Sequence, residues 1–303
     1  MINGFVVIDK PAGITSHDVV SRVRRILGTR KVGHTGTLDP FATGVLPVAV
    51  NDGTKVIPFL DEGCKCYEAL MRLGVTTDTL DMTGTILSES DPSCITREQL
   101  LACLCDFTGP LCQIPPMYSA IKQNGQPLYK LARQGLEVER QARDVEILSI
   151  ELLSFDLPHA AIRVVCSRGT YIRTLADDIG RQLGCGSALQ ELRRTASGPF
   201  RIEDALTLME LEAAAEAGRV ESVILSPLQS IAHLIEIPLT STGAEGLRFG
   251  RAPTWDATLQ KTPVVCTEEA VVRLTFEGNL AAVARLVPGR ADDAVIALKR
   301  VFL

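Results

Sequence analysis

The sequence predicts an α/β (α+β) fold, on three observations. Helical and strand periodicities alternate along residues 1–230. An alternating run at 161–167 leads directly into a helix signature at 170–183. Beyond the stretch 227–243, with its Pro, Ser, Thr and Gly, only short apolar runs remain, which suits a small β-rich unit. The 303 residues therefore divide into two expected domains, 1–230 and 231–303.

Residues 5–8 read as the opening strand, ended by Pro11 and Gly13, and Thr15 or Ser16 then caps a helix to Leu27. Val19, Val20, Val23, Ile26 and Leu27 recur at helical spacing and Gly28 supplies the stop, which leaves Arg22 and Arg25 outside. Gly33, Gly36, Gly44, Pro40 and Pro47 make 33–47 a loop. From 65 to 73, Tyr67, Ala69, Met71 and Leu73 share one face of a strand. Thr96 and Gln99 form a capping-box pattern ahead of Leu100 and Leu104, and Pro127 and Gly135 bracket a second short helix. Residues 145–153 and 161–167 are β-rich, and Leu175, Ile179 and Leu183 form the buried stripe of the helix that follows. A further helix spans 206–217, and 271–276 and 280–286 are the short apolar runs of the C-terminal unit.

With 46% hydrophobic and 22% charged residues the composition is globular rather than disordered. No stretch approaches the roughly 18 apolar residues of a membrane span, and the N-terminus lacks a secretory signal, so the expected location is cytoplasmic with no membrane partner. Nine cysteines are expected as reduced thiols. Cys64 and Cys66, like Cys103 and Cys105, are one residue apart with no histidine pair nearby, so no metal centre is expected. The net charge of −5 argues against a nucleic-acid partner, yet residues 1–60 carry 7 basic and 4 acidic side chains, with Arg22, Arg24, Arg25, Arg30 and Lys31 clustered.

Asp39 is an acid at the centre of a Gly- and Pro-defined loop flanked by Leu38, Phe41, Val45 and Leu46. Alone, an Asp-Pro pair reads as a helix cap, with a short helix following from Phe41. Arg173 falls in the first turn of its helix, where a cation opposes the positive end of the dipole and needs a carboxylate. Asp177, one turn on, is the local option, and a carboxylate from another segment is the functional one. Tyr67 reads as a core aromatic or as a ring that stacks on an extruded base. His34 and His17 lie near the basic cluster.

Six blocks in order resemble the TruB-type family of bacterial tRNA pseudouridine synthases. They are Asp9-Lys10-Pro11-Ala12-Gly13, the run from Lys31 through Gly33-His34-Thr35-Gly36-Thr37-Leu38-Asp39-Pro40 to Pro47, and Thr77-Asp78-Thr79-Leu80-Asp81. Pro115-Pro116-Met117-Tyr118-Ser119-Ala120-Ile121-Lys122, Cys166-Ser167-Arg168-Gly169-Thr170-Tyr171-Ile172-Arg173, and Leu192-Arg193-Arg194-Thr195 complete them. The resemblance implies a mixed, largely antiparallel sheet with flanking helices, an RNA-clamping insertion at about 115–143, and a small PUA-like C-terminal domain. It implies that Asp39 is the nucleophile, that Tyr67 stacks on the target base and that Arg173 pairs with Asp39. Leu192 lines the base pocket, while His34, Lys10 and Thr37 contact substrate.

The implied reaction is isomerisation of uridine 55 in the tRNA T arm, by base flipping, without cofactor or obligatory protein partner, in a monomer. An RNA-folding chaperone and a guide-RNA-dependent synthase of the same superfamily are the alternatives.

Overall fold

Thr15 caps the first helix through a reciprocal capping box with Asp18, as the Thr-Ser-His-Asp run dictates, and the buried Val19, Val20 and Val23 turn that helix onto a sheet. In this computed structural model, residues 2–61, 63–123, 125–260, 268–288 and 294–303 are described. The chain begins β1 (Gly4–Lys10), α1 (Ser16–Ile26), β2 (Val32–His34), β3 (Thr43–Val50), α2 (Gly53–Val56) and β4 (Cys64–Leu73). A hairpin of β5 (Val75–Thr77) and β6 (Ile86–Glu89) leads to α3 (Arg97–Asp106) and β7 (Gly109–Gln113). The next segment holds β8 (Lys122–Gln123), β9 (Gln126–Pro127) and α4 (Leu128–Ala132). It is followed by β10 (Arg143–Asp156), β11 (His159–Ser167), α5 (Ile172–Gln182), β12 (Ser187–Ser197), β13 (Phe200–Arg201), α6 (Leu208–Glu216) and α7 (Pro227–Ser230). Last come β14 (Ile235–Pro238), α8 (Ser241–Arg248), β15 (Ala270–Phe276), β16 (Asn279–Pro288) and β17 (Ala294–Val301).

The main sheet runs β1-β3-β12-β4-β11-β10-β7, with β2 beside β3 and β13 beside β12. Every pairing is antiparallel except β3 with β12, so the sheet is mixed and largely antiparallel, in line with the expected fold class. The parallel join is short, Thr43 and Gly44 against Arg193 and Arg194, and it brings the Asp39 loop beside the middle of the sheet. Gly44 permits it: φ is +99° there, and a Cβ would lie 2.2 Å from the Arg194 carbonyl oxygen.

β1 and β3 serve two cores. Val6, Ile8, Leu46 and Val48 share a core with α1, α5 and α6, while Phe5, Val7, Val45 and Ala49 share another with Phe200 and, from β16, Leu280 and Val283. This is why residues 45–50 are apolar without alternation, as strands covered on both faces are. Each valine, isoleucine, leucine or phenylalanine among them contributes roughly 1.5–3 kcal/mol when fully buried. A second sheet, β14-β15-β16-β17, has its own core against α8. No helix among the described residues is long and apolar enough to cross a membrane.

One local expectation fails. Asp39 and Pro40 do not start a helix: the chain makes a turn, Ala42 N–H to the Asp39 carbonyl at 3.1 Å, and enters β3. The valines at 45, 48 and 50 favour the strand, and pairing with β1 across its whole length outweighs the cap.

Candidate active site

Loop 35–42 is fastened from below at every side. Gly13 N–H and Lys10 Nζ both donate to the Pro40 carbonyl, at 2.8 and 3.1 Å. Ser16 Oγ accepts from Leu38 N–H at 2.9 Å and donates to the Leu38 carbonyl at 3.0 Å. Arg194 donates to the carbonyls of Gly36 and Thr37. A backbone tied this often holds Asp39 in one orientation, which is what positions a reacting group.

Asp39 opens into a cavity of about 300 Å3 lined by Thr37, Tyr67, Leu192, Tyr171 and Arg173 among others. β4 supplies Tyr67, β12 supplies Leu192, and the first turn of α5 supplies Arg173. The segment between β7 and β8 closes one wall with Ser119, Ala120 and Ile121. Arg173 Nε lies 2.9 Å from Asp39 Oδ2, and only 3% of the arginine side chain is exposed. The guanidinium also donates to the carbonyls of Thr79 and Tyr118, at 2.9 and 2.6 Å, and faces the buried Asp81 at 3.5 Å. The carboxylate demanded by a cation at a helix N-terminus thus comes from two distant segments. Asp177 pairs instead with Arg181 at 2.7 Å.

Burial pushes the Asp39 carboxyl above its ordinary value; Arg173 pulls it back, and Asp81 adds to the rise. Burial likewise raises the Tyr67 phenol, with Arg194 acting against it, so the hydroxyl is neutral at neutral pH. His34, on β2, does not line the cavity; burial and the charge of Arg194 hold its ring below the ordinary histidine value, and its Nδ1 is buried without a partner.

Lys10 departs from its expected place at the substrate. It is fully buried, and its Nζ donates to the carbonyls of Pro11, Ile14 and Pro40, so it braces the loop from behind. A long cationic stem reaching three converging carbonyls has no free donor for RNA. Burial lowers its pKa from 10.5 to about 8.

Asp81, Ser119, Tyr171 and Arg194 carried no role in the sequence reading, since each lies in a motif whose spacing says nothing of direction. Asp81 is held by Thr79 and Thr83, which bond its Oδ1. On the outer face of α1, Arg22 and Arg25 are exposed, as are Arg30 and Lys31 beyond it. No group of three or more His, Cys, Asp or Glu side chains fit to hold a metal occurs among the described residues.

Residues 24–172 match the model of the TruB family pseudouridylate synthase N-terminal domain, and residues 173–234 that of the tRNA pseudouridylate synthase B C-terminal domain. The chain belongs to the TruB family of tRNA pseudouridine synthases. A tRNA pseudouridine synthase B of Geotalea uraniireducens is 52% identical over 95% of this chain and 93% of its own length. That of Geobacter sulfurreducens is 48% identical over 99% and 100%. Among solved structures, Cbf5 in a Cbf5-Nop10-Gar1 complex matches with TM-score 0.74 and 28% identity over 99% of this chain and 85% of that one. An H/ACA RNP bound to a substrate RNA containing 2′-deoxyuridine gives TM-score 0.73 and 26% identity, over 99% and 85%. This TruB-family chain is accordingly a tRNA-modifying isomerase with a pseudouridine synthase fold.

Proposed function

We propose that the enzyme converts uridine 55 of the tRNA T arm to pseudouridine with Asp39 as nucleophile. The observation that carries this reading is the buried Arg173 held 2.9 Å from Asp39 in a cavity walled by Tyr67 and Leu192. The reaction breaks the N1 glycosidic bond, turns the uracil in place and joins C5 to C1′. No electrons enter or leave, so the chemistry requires no cofactor. An ionised carboxylate divides the barrier into smaller steps. It acts at C1′, at C6, or by removing a ribose proton, and all three routes need Asp39 deprotonated and shielded from water. Since a stacked base cannot reach the cavity, the uridine is flipped out, at a cost of about a few kcal/mol offset by contacts to Tyr67 and Leu192.

Tyr67 stacks on the base and assists removal of the C5 proton; Thr37 contacts the nucleotide. His34 supports the everted loop of the RNA from outside the cavity. The segment 115–143 clamps the T arm, and domain 231–303 serves as a PUA-like RNA-binding module beside the catalytic domain 1–230. The enzyme works as a cytoplasmic monomer on tRNA alone. Identity near 50% to tRNA pseudouridine synthase B over nearly the whole chain supports this stand-alone reading over the guide-RNA-dependent one.

The test is tritium release from T-arm RNA labelled at C5 of uridine, using purified protein without partners. Full turnover by the parent and none by Asp39→Asn is the expected result. Release by Asp39→Asn would exclude the nucleophile, and a need for added protein or guide RNA would exclude the stand-alone enzyme.

A further inference from the structure

Arg194 is the largest fully buried side chain among the described residues, at 0% exposure, and no described carboxylate forms an ion pair with it. An uncompensated guanidinium in the interior is costly unless its donors are used. Here they are: Nε donates to the Val45 carbonyl at 2.8 Å, Nη2 to Gly36 at 3.0 Å and Nη1 to Thr37 at 3.5 Å. The same guanidinium lies close enough to the Tyr67 phenol for its charge to act against the rise that burial imposes there. Backbone register places them together independently, for Arg194 stands directly opposite Tyr67 on β4 and opposite Gly44 on β3. Its neighbour Arg193 points away, to Asp9 at 2.7 Å.

On the reading that this cavity is the site of isomerisation, we infer that Arg194 is a positioning residue that ties the Tyr67 side chain to the backbone of the Asp39 loop. The two groups that act on the nucleotide come from different strands, β4 and the approach to β3. One planar fork joined to both fixes the ring relative to the carboxylate, to the tolerance that orientation effects demand. It does so without touching substrate, since it lies wholly beneath the cavity. Lysine cannot take its place, because a single ammonium reaches neither the Val45 carbonyl nor the phenol while holding Gly36 and Thr37.

A double-mutant cycle on Arg194→Lys and Tyr67→Phe tests the inference, with single-turnover pseudouridine formation and T-arm RNA affinity measured for each protein. Arg194→Lys slows the single-turnover rate at least tenfold while the Kd for RNA stays within about twofold. In the Tyr67→Phe background the same change slows the rate by no more than about twofold, because the partner it positions is already gone. A parent-like rate for Arg194→Lys, or losses that multiply across the cycle, overturns the inference. Should the lysine protein melt well below the parent, Arg194→Gln, which keeps two donors without charge, carries the same cycle with the same outcomes. Activity in Asp39→Asn would instead overturn the underlying assignment of the cavity, so the two failures are distinct.

Discussion

At Asp39 two opposing effects meet, and their balance sets the pH behaviour. Burial and Asp81 raise the carboxyl above its ordinary 3.8, and Arg173 lowers it. On the proposed role of Asp39, in which the ionised form acts, kcat/KM falls as pH drops through the raised value, so the acid limb has its midpoint above 3.8. Removing the charge in Arg173→Gln withdraws the lowering influence and moves the residual activity's acid limb further up, besides reducing kcat. A pH profile of both proteins checks the order; an unchanged or lower midpoint in the variant contradicts the pairing. Lys10 makes a second, structural prediction. Lys10→Met takes the lysine donor from the Pro11 and Ile14 carbonyls, leaves Pro40 with Gly13 N–H alone, and costs about 2–4 kcal/mol in urea unfolding. The residue types at Asp39 and Arg173 were legible as an acid and a cation in need of a partner. Their pairing came only through the motif resemblance, since helix geometry offered Asp177 equally well.

At the level of elements, the regular pieces were readable and the joins were not. The alternation of Tyr67, Ala69, Met71 and Leu73 gave β4, and the Thr15 and Thr96 capping patterns gave two helix starts. β12 went unread because Glu191, Arg193 and Arg194 break its apolar pattern, although it lies between β3 and β4. Charged residues are admissible in that central position because Arg193 finds Asp9 and Arg194 finds carbonyls, neither visible from spacing. Strand β3 was taken for loop and short helix on the strength of Pro40 and Gly44, yet Gly44 is what lets the β3 and β12 backbones meet. Gly44→Ala introduces a Cβ 2.2 Å from a backbone oxygen at φ +99°, so about 3 kcal/mol or more of stability is lost. Urea unfolding measures that loss, and tritium release falls with it as the Asp39 loop shifts.

For the whole molecule, the far face of β1 and β3 is covered by β16 of the C-terminal sheet, with Phe5 and Phe200 5.3 Å apart between them. The two sheets therefore unfold together. Trp255, the single tryptophan, lies in the C-terminal unit with its Nε1 bonded to the Ala294 carbonyl, and its fluorescence reports on that unit alone. Its urea transition coincides with that of far-UV circular dichroism in the parent. In Phe200→Ala both move down together by about 3–5 kcal/mol. A separate, earlier tryptophan transition would show independent units. By itself the sequence determined the fold class, the most regular strands and helices and, through six motif blocks, the family, because periodicity and local capping are properties of neighbouring residues. The tertiary structure alone decided that Asp81 joins Asp39 at Arg173, that Lys10 braces the loop, and that Arg194 lies under Tyr67. Those contacts join segments from some 30 to 160 residues apart, and no local pattern encodes the direction in which a side chain crosses between strands.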